Sequence, residues 1–193
     1  MKTSLHTIVR AASLTLLIGA LPTLAYAHPG HAGGLAHGLA HPFGGLDHLA
    51  AMVAVGLWAS QLGGRAAWLV PLSFVAAMAL GGLLGVAAVA LPFVETGILL
   101  SLLALGLLVA AAVRLPLALS AGIVSVFALF HGHAHGAEMT PGASAFAYAL
   151  GFTMASAFLH LSGYTFGMAI RARLLRFAGA AVAMTGGWLW FAA

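Results

Sequence analysis

Apolar residues dominate this chain in long runs, and the polar residues that interrupt them fall at a few places. Six stretches, approximately 45–62, 66–91, 94–113, 115–130, 143–170 and 174–191, carry almost no charge. Their lengths suit helices that cross a bilayer, which needs about 20 residues. The breaks are punctuated by Gly63-Gly64-Arg65, Leu91-Pro92, Arg114-Leu115-Pro116 and Thr140-Pro141-Gly142, residues that end helices. The fourth stretch reads as short and the fifth as long, so the fifth is expected to tilt or break. Gly81-x-x-x-Gly85 and Gly163-x-x-x-Gly167 are small-residue patterns that let membrane helices approach closely. The expected fold is an all-α integral membrane protein, a bundle of six transmembrane helices.

The first 27 residues read differently. Lys2 and Arg10 form a positive start, Ala11 to Leu21 an apolar segment, and Ala25-Tyr26-Ala27 a cleavage site, the anatomy of a signal peptide. Cleavage leaves a mature chain of residues 28–193 as a single transmembrane domain, beginning at His28. A linker rich in Gly and His, HPGHAGGLAHGLAHP, precedes the first span.

Composition agrees with a membrane location. The chain is 63% hydrophobic and 5% charged, where soluble domains carry roughly a quarter charged residues. The net charge of +4 therefore reports topology rather than nucleic acid. If the mature N-terminus lies outside, Arg65, Arg114, Arg171, Arg173 and Arg176 all fall in inner loops, as the positive-inside rule requires. Trp58, Trp68, Trp188 and Trp190 read as interfacial anchors. The absence of cysteine removes disulfides and thiolate metal sites, leaving imidazole and carboxylate as ligands.

Only three acidic residues occur, Asp47, Glu95 and Glu138, and two of them sit inside histidine clusters. The first cluster is HPFGGLDH, from His41 to His48, and the second is HGHAHGAE, from His131 to Glu138. The topology puts both on the outer side. On a helix, His131, His135 and Glu138 share an arc of about 60°, with His133 nearly opposite. Should Gly132 and Gly136 unwind the helix, His133 joins the set. In the first cluster Pro42 and Gly44-Gly45 predict that regular helix begins near Leu46, with His48 inward and His41 folded over the site. Asp47 ligates directly or holds a ligand's second ring nitrogen. Ionisable groups in spans are costly and mark function. The clusters therefore predict a divalent cation, with imidazole favouring Ni²⁺, Co²⁺, Zn²⁺ or Cu²⁺ over Mg²⁺ or Ca²⁺. His28 offers an amine and a ring, but Pro29 lacks the N–H that a square-planar N-terminal site requires. His31 and His37 read as a solvated tail. His160, deeper in the fifth span, reads equally as an interhelical hydrogen bond or as part of a metal pathway with Glu95.

These clusters resemble a known family. HPFGGLDH fits HPxxGxDH and FHGHAHGAE fits FHGxAHGxE, the two motifs of the HupE/UreJ nickel/cobalt permeases. The resemblance implies His41, Asp47, His48, His131, His135 and Glu138 as metal-handling residues, and a link to hydrogenase or urease maturation. It implies nothing for His133, which fills a variable position. The expected function is a secondary permease, not an enzyme, importing nickel or cobalt through the inner membrane of a bacterium. The metal is cargo, and no prosthetic group is expected. Capture should weaken in acid, because only neutral imidazole ligates. A membrane metalloenzyme of zinc-hydrolase or di-iron type, and a pore-less metal-binding accessory subunit, are the rival readings.

Overall fold

The computed structural model describes residues 34–139 and 144–192, and among them all regular structure is helical. The segment expected to be a signal peptide, His28 and His31 lie outside the described residues. A short helix α1 (Leu35–Ala40) passes through a 3-10 turn (His41–Phe43) into α2 (Leu46–Leu62). Then follow α3 (Ala66–Val86), α4 (Val94–Ala110), α5 (Leu117–Ala137), α6 (Ala145–Ala169) and α7 (Ala172–Ala192). Helices α2 to α7 fall on the six apolar stretches. Four of them, α3, α5, α6 and α7, are long and apolar enough to cross a membrane alone. With 17 residues each, α2 and α4 reach about 25 Å, short of the ~30 Å hydrocarbon core. α2 is instead extended by α1 and its turn, bent 84° away from it.

Several boundaries differ from the sequence expectation. The fourth span is not short, because α5 runs on through the second histidine cluster to Ala137. Hydropathy ends at Phe130 because imidazole scores as polar, but here His131 and His135 are buried in protein. α6 is one helix of 25 residues without a break. α3 stops at Val86 rather than near residue 91, and Ala88 turns the chain with a φ of 54°. The Gly- and His-rich linker contains α1, which packs on α6 where Gly38 and Gly151 admit each other's backbones. Trp58 is no interfacial anchor: it is fully buried, and its Nε1–H donates to the Val113 carbonyl at 2.9 Å. Trp68, Trp188 and Trp190 are exposed as anchors should be.

The helices pair by backbone contact. Gly81 and Gly85 of α3 and Gly132 and Gly136 of α5 face each other's main chain so closely that a Cβ at any of them would meet a carbonyl. Gly56 and Gly163 do the same for α2 and α6, while Gly106 and Gly179 bring α4 and α7 against the backbone amides of Ala183 and Ala110. Among lipid tails no hydrophobic force drives helices together, so such close packing supplies the attraction. Met52, Val55 and Trp58 of α2 join Phe74 and Met78 of α3, Leu105 of α4 and Phe152 of α6 in one core.

Hydrogen bonds then sort the ends of the bundle. Gln61 donates to the Val109 carbonyl (2.9 Å) and Arg176 to the Ala110 carbonyl (2.7 Å). The end of α2, the end of α4 and the start of α7 therefore meet, and Arg65, Arg114, Arg171, Arg173 and Arg176 adjoin those segments. The histidine clusters occupy the other half.

Candidate metal centre

The two clusters, more than eighty residues apart in sequence, come together. His48 at the start of α2 lies 4.8 Å from His131 and 4.3 Å from His135, ring centre to ring centre, both at the end of α5. The bend at Pro42 and Gly44 folds His41 back over this pair, 4.5 Å from His135. Its Nε2 stands 3.3 Å from a carboxylate oxygen of Glu138, the residue that caps α5.

Hydrogen bonds decide which ring nitrogens are free. Asp47 Oδ1 accepts from the backbone N–H of His48 (2.8 Å) and from its Nδ1–H (2.9 Å), leaving Nε2 as the lone-pair nitrogen. Ser101 of α4 donates its hydroxyl proton to the Ile98 carbonyl (2.6 Å), so its oxygen accepts from His131 Nε2–H at 2.8 Å. That assigns the free lone pair of His131 to Nδ1. His48 Nε2, His131 Nδ1 and both nitrogens of His135 are buried with no hydrogen-bond partner among the described residues. Burying a polar atom unpaired costs about 1–3 kcal/mol, so four in one place form a costly cluster that a bound cation would relieve.

The donor set suits a first-row divalent ion. Single ligand atoms from His41, His135 and Glu138 lie within 4.8 Å of one another. Two donors each about 2.1 Å from an ion stand at most about 4.2 Å apart, so a small rotation of side chains closes the set. His135 also touches His48, which places it between the outer group (His41, Glu138) and the inner one (His48, His131). Phe152 at 4.1 Å walls His135 from α6, and its apolar face keeps water from competing. Asp47 holds His48 as a carboxylate holds a metal-ligating histidine, and losing such a partner costs about 10–100-fold in affinity. If the centre holds a divalent cation, Asp47→Ala should weaken its binding by that factor, measured by equilibrium dialysis, with the fold intact.

The remaining sequence candidates separate clearly. His133 points out of the centre, its Nε2–H donating to the Val89 carbonyl at 2.7 Å. The helix stays wound through Gly132 and Gly136, so His133 does not join the set. Glu95 is exposed in the first turn of α4 and makes no ion pair among the described residues. His160 is buried below the centre and donates Nδ1–H to the Met52 carbonyl at 2.8 Å. His37 is not a remote tail residue: on α1 it stacks 5.7 Å from His41 and lies 5.8 Å from Tyr148. Ser101, Tyr148 and Phe152 carry no signal in the sequence, since a serine or an aromatic in an apolar run looks like any other.

Comparison with known proteins identifies the family. The family described as HupE / UreJ protein matches residues 15–189. "Protein HupE" of Rhizobium leguminosarum bv. viciae is 50% identical over 178 residues, covering 89% of this chain and 93% of that protein. No solved structure matches the chain. The chain belongs to the HupE/UreJ family.

Proposed function

We propose that this member of the HupE/UreJ family is a secondary permease that imports Ni²⁺ or Co²⁺ across the cytoplasmic membrane, for hydrogenase or urease maturation. The observation that carries the reading is the convergence of buried, unpartnered imidazole nitrogens from two distant segments at one end of the bundle. Imidazole with one or two carboxylates favours nickel and cobalt over magnesium and calcium, as the two sequence motifs also imply.

In this reading the histidine end faces outward and α2 to α7 cross six times. The arginines then lie inside, which the positive-inside rule favours. His41 and Glu138, at the exposed rim, take the hydrated ion first. His135 transfers it to His48 and His131, exchanging ligands one at a time so that the ion is never bare. A divalent cation moving inward gains about 4.6 kcal/mol per 100 mV, twice the single-charge value, so no nucleotide hydrolysis is needed.

The test is radioactive Ni²⁺ and Co²⁺ uptake into liposomes that hold only this protein, with and without an inside-negative potential. Uptake should rise with the potential. One tightly held metal per chain and no flux would instead support a metalloenzyme or an accessory subunit.

A further inference from the structure

Below the metal centre, three side chains stand in a row. Phe74, fully buried in the middle of α3, has its ring 5.8 Å from that of His131 and 5.0 Å from that of His160. The two histidines present free nitrogens, His131 Nδ1 and His160 Nε2, and neither has a partner among the described residues. The Met52 carbonyl satisfies His160 through Nδ1–H alone. A histidine serving only to tie α6 to α2 would not need its second nitrogen buried.

Two cavities open near this row. One of about 420 Å³ reaches His135 from the histidine end, between α3, α5 and α6. The other, about 310 Å³, lies between α3 and α6 toward the Arg65 end and is lined by His160, Trp68, Pro71 and Tyr164. Pro71 sits inside α3 and has no N–H, so the carbonyl of Ala67 loses its helical donor. Ala67 lines the same cavity. The His160 ring and Ala67 thus border an otherwise apolar chamber.

We propose that Phe74 is a plug across the metal path and that His160, through Nε2, is the station that receives the cation beyond it. The proposal rests on the permease reading. The phenyl ring packs against both imidazoles, so it lies on the way from one to the other. An ion passes when the ring swings aside, leaving His131 as it gains His160.

The test uses the purified full chain, measuring Ni²⁺ flux in liposomes and equilibrium Ni²⁺ binding in detergent. His160→Asn keeps a donor toward the Met52 carbonyl and removes Nε2. Flux should fall at least about tenfold, while binding at the outer centre stays within about twofold of the wild type. Phe74→Leu shortens the plug, and flux should rise at least about threefold, a gain that misfolding cannot produce. Wild-type flux in His160→Asn overturns the role of His160, and flux at or below the wild type in Phe74→Leu overturns the plug. Binding without flux in the unaltered chain overturns the permease reading itself, and this proposal with it.

Discussion

His135→Ala is expected to raise the dissociation constant for Ni²⁺ by about 100-fold or more and to bring uptake to background. Loss of a partner that only orients a ligand costs about 10–100-fold, and in the proposed reading His135 is a ligand itself. Its side chain contacts both halves of the centre, His41 at 4.5 Å and His48 at 4.3 Å. Both of its nitrogens are without partners among the described residues, so its removal leaves no hydrogen bond broken within the protein. The cost to folding is then confined to the lost packing of the ring against Phe152, so a drop in affinity in the folded variant reports ligation. His133→Ala is the matched comparison on the same helix. That ring bonds to the Val89 carbonyl, so its loss costs about 1 kcal/mol of stability and leaves binding unchanged. Isothermal titration of both variants decides the matter. Equal affinities would mean that the imidazoles of α5 are structural and that the metal binds elsewhere.

How much of this was legible in the sequence depends on the distance over which each residue finds its partner. The helices were visible because a membrane span is a local property of composition. The helix start at Leu46 was visible because Pro42 and the glycine pair act on their own backbone. The candidate ligands could be singled out because each motif packs its chemistry within eight residues. Residues whose role depends on a distant neighbour were not. Trp58 was read as an anchor because its partner, the Val113 carbonyl, lies on another segment. The end of α5 was misplaced because a hydropathy sum charges His131 and His135 for facing water that they do not face. Ser101 sets the tautomer of His131 across 30 residues of chain. Phe74 was one aromatic among many. The small-residue pattern at Gly81 and Gly85 pointed to close packing but not to α5 as its partner.

That partnership yields the second large effect. Gly132→Ala is expected to cost about 3 kcal/mol or more and to remove most of the folded protein, together with its metal binding. A Cβ at residue 132 would fall on the carbonyl oxygen of Met78 in α3, with the amide of Gly82 beside it. Overpacking against a flexible side chain costs about 1–3 kcal/mol, but backbone held in a helix cannot swing away. The two helices would have to separate along the seam that Gly81, Gly85 and Gly136 also form. Because His131 and His135 ride on α5, such a shift also moves these candidate ligands. Gly122→Ala, in the same helix, is the control, since a Cβ there has nothing within 4 Å. Alanine is the better helix former by about 1 kcal/mol, so that variant should be neutral or slightly more stable. Thermal unfolding of both in detergent, followed by circular dichroism, separates them. If Gly132→Ala melts with Gly122→Ala, then α3 and α5 do not touch through their backbones, and the placement of His131 and His135 that depends on that contact fails as well.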